Sequence, residues 1–138
     1  MPIAWNDSLS LNIEVLDEQH KEIVDLINEL YDVIKRNASE YVITNIFNEL
    51  ERKLNHNFKK EENLFDRSKW SGGKDHKAQH DRFLDDLKDI KNVFKTKQPA
   101  LIALVKLDKL FTTSYMDHLR IEDKKYVNWI KEKLVFIS

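Results

Sequence analysis

The sequence predicts an all-α fold, an antiparallel up-down-up-down four-helix bundle preceded by an irregular N-terminal leader. Apolar residues recur at intervals of three and four through four successive stretches, which is the spacing of one face of an α-helix. Short polar breaks separate the stretches, so consecutive helices are expected to be antiparallel neighbours. The 138 residues include only two glycines and two prolines, too few for the tight turns of a β-rich fold. We expect one domain spanning residues 1–138.

The leader and the first two helices occupy the N-terminal half of the chain. The leader, residues 1–15, has no clear periodicity, and its apolar residues are expected to pack along the bundle surface. The first helix is predicted over residues 16–36 and the second over residues 40–65. Ser39 is the expected N-cap of the second helix, because a serine hydroxyl can accept a hydrogen bond from the first helical turn.

The third and fourth helices follow a loop that contains Gly72 and Gly73. The third is predicted over residues 75–95. The fourth is predicted over residues 99–118, since Pro99 suits the first position of a helix, where no backbone N–H is needed. A helical extension is expected to continue to about residue 133.

Composition excludes several classes of function. The 23 Lys and Arg residues nearly balance the 24 Asp and Glu residues, for a formal charge of −1, so neither nucleic acid nor an anionic membrane surface is an expected partner. No apolar run approaches the roughly 18 residues of a membrane span. The absence of cysteine rules out disulfides, cysteine-ligated zinc and iron–sulfur clusters. We expect a soluble, cytoplasmic monomer, with a weak dimer as the alternative.

Polar side chains stand on the apolar, inward faces of all four predicted helices. They are His20 in the first helix, Asn57 and Glu61 in the second, His76 and His80 in the third, and His118 in the fourth. A single inward histidine is usually a hydrogen-bonded core residue. Burying four imidazoles and a carboxylate without partners would cost several kcal/mol, so the pattern indicates a metal centre. Nitrogen-rich ligation with carboxylates suits iron, and the residue types leave zinc and manganese open.

Several short motifs follow one another in a defined order along the chain. They are Trp5, Leu16-Asp17-Glu18-Gln19-His20, Phe58-x2-Glu61-Glu62-x-Leu64, His76-Lys77-Ala78-Gln79-His80-x2-Phe83 and His118-x4-Asp123-Lys124. In this order and spacing the chain resembles the hemerythrin family, specifically the single-domain bacteriohemerythrins, over nearly its whole length. The resemblance implies a four-helix bundle that holds two non-heme iron ions with an oxo or hydroxo bridge and binds O2 reversibly.

The resemblance also implies a role for each matching residue. One iron ion would be held by His76, His80 and His118, the second by His20, and the two would be bridged by Glu61 and Asp123. In the family the second ion has a further histidine, and Asn57 stands at that position here. Its amide oxygen is a harder and weaker ligand than imidazole for ferrous iron, and the amide could instead hydrogen-bond a metal-bound water.

Two assignments depend on distortion of a helix. On an ideal helix Glu122 shares a face with His118, whereas Asp123 lies roughly 140° away. Asp123 is therefore chosen on the resemblance alone, and it requires the helix to end or distort. His56, the fifth histidine, lies roughly 120° from the centre of the inward face of its helix. It could replace the missing histidine only through a local π-bulge.

The sequence thus predicts an O2-binding non-heme di-iron protein, a carrier, store or sensor rather than an enzyme, with its second metal position impaired by Asn57. A side activity as a peroxidase or oxidase stays open. A metal-depleted or mono-iron bundle that acts as an interaction or signalling module is the main alternative. A ferritin-like di-iron oxidase is disfavoured, because that class needs a Glu-x-x-His motif on each of two helices.

Overall fold

The computed structural model describes residues 3–95 and 100–137, without the side chains of Ala100, Ile130 and residues 132–137. Its helices are α1 (Glu14–Lys35), α2 (Glu40–Ser68), α3 (Gly73–Lys95), α4 (Ala100–Asp108) and α5 (Asp123–Ile137). The helix α1 packs against α2 and α4, while α2 also packs against α3 and α5. The all-helical bundle predicted from the sequence is confirmed. None of the helices within the described ranges combines the length and the apolar character needed to cross a bilayer.

The helix ends fall close to the predicted ones and differ where the terminal turn is polar. The helix α2 continues past residue 65 to Ser68, and Lys69 then adopts the left-handed conformation with φ of 57°, a common way to end a helix. The helix α3 begins at Gly73 rather than residue 75, because its first turn contains no apolar residue to mark it. The predicted start at Pro99 lies outside the described residues.

The fourth helix is continuous from α4 to α5 but contains two π-helical segments, Lys109–Tyr115 and His118–Glu122. In the second segment the backbone N–H of Asp123 donates to the carbonyl of His118, an i to i+5 hydrogen bond. A π-helical turn stacks residue i+5 on residue i, where an α-helix would stack residue i+4. Asp123 therefore lies on the same helix face as His118. The π-helical turn is the kind of distortion that the choice of Asp123 as a metal ligand requires.

The N-terminal leader is tied to the start of α1 and to the start of α5. The Asp17 carboxylate, in the first turn of α1, accepts hydrogen bonds from Ser10 Oγ at 2.6 Å and from the backbone N–H of Leu11 at 2.8 Å. Lys124 Nζ donates to the carbonyl of Ser8 at 2.6 Å. The side chain of Leu11 is buried against α2 and α5 residues. The leader is thus held at the start of α1 and beside Asp123.

Replacing Asp17 with alanine is expected to lower the free energy of unfolding by about 1–3 kcal/mol, because two leader groups lose a charged acceptor. The matched control is Asp25→Ala, an exposed aspartate of the same helix, for which we expect a change within about 0.5 kcal/mol. Urea unfolding followed by circular dichroism measures both. Equal stability of the two variants would contradict a role of Asp17 in holding the leader.

Candidate metal centre

Predicted ligands from the second, third and fourth helices meet inside the bundle. One ligand atom from each of five residues lies within 4.8 Å of all the others, and the residues are Glu61, His76, His80, His118 and Asp123. We call His76, His80 and His118 the three-histidine group. Four of the five side chains are fully buried, and His118, at 9% exposed, is the most accessible. His20 is also buried and lies on the opposite side of the two carboxylates.

Each carboxylate faces both sides. Asp123 Oδ1 is 2.9 Å from His76 Nε2 and 3.0 Å from His118 Nε2, whereas Asp123 Oδ2 is 3.6 Å from His20 Nε2. In the same way, Glu61 Oε1 is 3.7 Å from His76 Nε2 and Glu61 Oε2 is 3.2 Å from His20 Nε2. One oxygen of each carboxylate thus faces the three-histidine group and the other faces His20, so both carboxylates can bridge two cations.

The outer ring nitrogens of two histidines determine where the inner lone pairs lie. His80 Nδ1 donates to Glu62 Oε2 at 2.8 Å, and His118 Nδ1 donates to Gln79 Oε1 at 3.0 Å. The Nε2 atoms of both rings therefore face inward, 3.2 Å apart. A cation placed between them could accept a lone pair from each. Histidine ligands of metals are typically oriented by outer hydrogen bonds of this kind.

Further polar atoms of the cluster are buried without a hydrogen-bond partner. They are His20 Nδ1, Glu61 Oε1, both ring nitrogens of His76 and both carboxylate oxygens of Asp123. Each such atom costs about 1–3 kcal/mol when nothing satisfies it. Four of these atoms lie on the inner side of the cluster, namely His76 Nε2, Glu61 Oε1 and both oxygens of Asp123. The residues therefore fit metal cations, and this donor set suits iron.

Charge balance in the metal-free protein depends on two of the histidines. Burial opposes protonation of His76, but Asp123 and Glu61 raise its pKa to about 9. Burial likewise opposes protonation of His20, and Glu61 reverses this and raises the His20 pKa. Burial lowers the pKa of His80 to about 3. A proton on His76 thus offsets part of the carboxylate charge, His20 takes up a proton more readily than a free imidazole, and bound cations would displace such protons.

The structure distinguishes Asn57 from His56, the two candidates for the position of the missing histidine. Asn57 is fully buried on the inward face of α2, and its Nδ2 donates to Gln19 Oε1 at 2.8 Å. Asn57 Oδ1 has no hydrogen-bond partner. His56 is exposed, and α2 is α-helical from end to end. His56 does not reach the centre in this structure, because α2 lacks the π-bulge that it requires.

Glu122, the carboxylate that ideal helical geometry favours, lies outside the cluster. Its Oε2 accepts from Gln79 Nε2 at 3.3 Å and its Oε1 accepts from Lys125 Nζ at 3.1 Å. Because the amide nitrogen of Gln79 faces Glu122, the amide oxygen faces His118. Glu122 therefore orients His118 through Gln79 and is not part of the cluster.

Three residues that belong to the sequence motifs, but have no predicted role of their own, make contacts at the centre. They are Gln19, Glu62 and Gln79, which hydrogen-bond Asn57, His80 and His118 respectively. Each is the direct chain neighbour of a predicted ligand: Gln19 precedes His20, Glu62 follows Glu61, and Gln79 precedes His80. A polar residue next to an inward ligand is the signal that could have identified them.

Aromatic rings enclose the three-histidine group. Phe58 stacks on His80, with ring centroids 3.8 Å apart and planes 5° apart, and Tyr126 meets His76 edge-on at 5.3 Å. Burial and the neighbouring carboxylates raise the pKa of Tyr126, so its phenol stays neutral. A cleft of about 550 Å³ borders the group at His118. The rings thus cover part of the three-histidine group, and His118 lies at the cleft.

Comparisons with known proteins agree with this geometry. A family model described as the hemerythrin HHE cation binding domain matches residues 11–130, which include every predicted ligand. A bacteriohemerythrin of Pseudomonas aeruginosa is 26% identical over 132 residues, covering 96% of this chain and 84% of the relative. A hemerythrin-like protein of Naegleria gruberi is 35% identical over 92 residues, covering 67% and 71%. A myohemerythrin of Sipunculus nudus is 30% identical over 90 residues, covering 65% and 69%.

Proposed function

The chain belongs to the hemerythrin family, and from that premise we propose that it is a non-heme di-iron protein that binds O2 as a cytoplasmic carrier, store or sensor. The observation that carries the proposal is the two-sided presentation of the carboxylates. Glu61 and Asp123 each offer one oxygen to the three-histidine group and one to His20.

The residues divide between two metal positions. The three-histidine group would hold the first ion and His20 the second, with Glu61 and Asp123 shared between them. We call the position on the His20 side the second position. When bound, a pair of iron ions supplies the redox chemistry that takes up O2. The chain contributes a buried environment that limits water, and Glu62 and Gln79 orient the imidazoles of His80 and His118.

Asn57 is expected to weaken the second position. An amide oxygen is a poorer ligand than imidazole for ferrous iron, so this position has fewer strong protein ligands than the first. We expect weaker retention of the second iron ion and faster irreversible oxidation to the ferric state than a histidine would give.

The proposal is tested by measuring iron per chain after anaerobic reconstitution, followed by the absorption spectrum on admitting O2. Two iron ions per chain and a visible charge-transfer band that disappears on removing O2 are expected. A chain that takes up no iron would favour an interaction or signalling module instead. Rapid ferroxidase turnover with formation of an iron core would favour a storage function of the ferritin type.

Changing Asn57 to histidine is expected to raise the iron retained at limiting ferrous iron and to slow irreversible oxidation, each by about tenfold. The reason is that an imidazole would replace a weak donor on the inward face of α2. Asn55→His, which adds a histidine at an exposed position of the same helix, is the control. Iron analysis and absorption spectroscopy follow both variants, and the same values in both would refute the assigned effect of Asn57.

A further inference from the structure

The Gln19–Asn57 pair bears on the donor atoms of the second position. Gln19 Oε1 accepts from Asn57 Nδ2 at 2.8 Å. Because the carboxamide is planar, its oxygen points away from the bond that its nitrogen makes. Asn57 Oδ1 is buried without a partner, on the inward face of α2 and one helical turn before Glu61. A buried acceptor left unpaired costs about 1–3 kcal/mol, and a cation would satisfy it.

The same arrangement occurs on the other side of the centre. Gln79 directly precedes His80 and accepts an N–H from His118 on a facing helix, which leaves the inner atom of His118 free to face the centre. Gln19 directly precedes His20 and accepts an N–H from Asn57 on a facing helix. In each case a glutamine that precedes a histidine accepts a hydrogen bond from an inward side chain of another helix. The remaining polar atom of that side chain then points away from the glutamine.

We propose that Asn57 Oδ1 is a protein ligand of the second position, that Gln19 is the positioning residue which keeps this oxygen inward, and that the second position consequently favours a harder divalent ion than the first. The inference rests on the proposed function, since it needs a second metal position. The donors there would be one imidazole nitrogen and three oxygens, from His20, Glu61, Asp123 and Asn57.

The donor sets predict which ion each position prefers. Imidazole suits zinc and iron, whereas oxygen-rich sites suit manganese and magnesium. The three-histidine group provides three nitrogens, so it should take zinc first. The second position should then accept Mn²⁺, because three of its four protein donors are oxygens.

The experiment adds one equivalent of Zn²⁺ to the metal-free full chain and then titrates Mn²⁺, measuring free Mn²⁺ by its electron paramagnetic resonance signal. We expect one Mn²⁺ per chain. Asn57→Leu should weaken Mn²⁺ binding by more than about tenfold, because it removes the oxygen, and Gln19→Leu by about tenfold, because the amide loses its orientation. Asn57→Asp should bind Mn²⁺ at least as tightly as the wild type, since it keeps an inward oxygen. Gln19→Glu should do the same, since a carboxylate can only accept the hydrogen bond from Asn57.

Two controls separate orientation from folding. Thermal unfolding of each metal-free variant checks that the bundle forms. Gln79→Leu, the matched change beside the three-histidine group, should weaken Zn²⁺ binding and leave the Mn²⁺ affinity of the second position unchanged.

Two results would overturn the inference and leave the proposed function standing: an unchanged Mn²⁺ affinity in Asn57→Leu, or no Mn²⁺ uptake by the zinc-loaded wild type. Equal weakening by Gln19→Leu and Gln19→Glu would overturn the role of Gln19. A chain that binds no metal ion at all would overturn both.

Discussion

Asp123→Ala is expected to abolish high-affinity metal binding at both positions, with a loss of at least about 100-fold at each. Asp123 is fully buried, and its two oxygens face opposite sides of the centre, one toward His76 and His118 and the other toward His20. Removing this one side chain therefore takes a ligand from each ion and leaves His76 without its nearest anionic partner. Isothermal titration of metal-free protein with Fe²⁺ under anaerobic conditions measures both binding steps.

Glu122, the carboxylate next to Asp123 in the chain, provides the control variant. Glu122→Ala should weaken only the first position, by about tenfold, because Glu122 acts on His118 through Gln79. If Glu122→Ala abolished binding and Asp123→Ala retained it, the assignment of the bridging carboxylate would be reversed. A variant Asp123→Ala that still binds two ions tightly would show that neither position depends on it.

Metal-free protein is expected to lose stability steeply as the pH rises from about 6.5 to 9, while metal-loaded protein keeps it. Asp123 and Glu61 raise the folded pKa of His76 to about 9 against burial, from 6.5 in the unfolded chain. A raised pKa stabilises the fold fully below pH 6.5, and this contribution disappears as the pH passes 9. The loss is on the order of 3 kcal/mol from His76. Bound cations would replace the proton and remove the dependence.

At acid pH the stability should change in the opposite direction, falling as the pH falls. Burial would raise the pKa of Asp123, but His118 and His76 hold it well below its usual range, so this carboxylate stabilises the fold above about pH 4 and loses that effect on acidification. Urea unfolding between about pH 2 and pH 9, with iron or with chelator, measures both the acid and the alkaline limb. His76→Gln should flatten the alkaline limb of the metal-free protein, and His56→Gln, at an exposed histidine, should not. A metal-free protein equally stable at pH 6.5 and pH 9 would contradict this account.

The bundle could be predicted from the sequence because its helices are strongly amphipathic and their connections are short. The inward positions of His20, Asn57 and Glu61 follow from the same periodicity, since α1 and α2 are regular helices. Resemblance to a family was needed for Asp123, because periodicity assumes 3.6 residues per turn and the backbone at His118–Glu122 does not obey it.

The side-chain hydrogen bonds between helices could not be predicted from the sequence. Gln79 could have faced solvent from its position on α3, and only the approach of His118 and Glu122 gives its two amide atoms separate partners. The pairing of Gln19 with Asn57 depends in the same way on how closely α1 and α2 approach. Such contacts follow from helix separation and rotamers, which periodicity does not encode.

The π-helical turn of the fourth helix has a consequence for how the length of this helix can change. The turn between His118 and Asp123 holds one residue more than an α-helical turn. Deleting Ile121, which is 54% exposed, would leave the carboxylate four residues after His118, where an α-helical turn keeps it on the same face. Inserting a residue there would instead rotate the carboxylate by roughly 100° about the helix axis, away from the centre. This turn should thus tolerate the loss of a residue better than the gain of one.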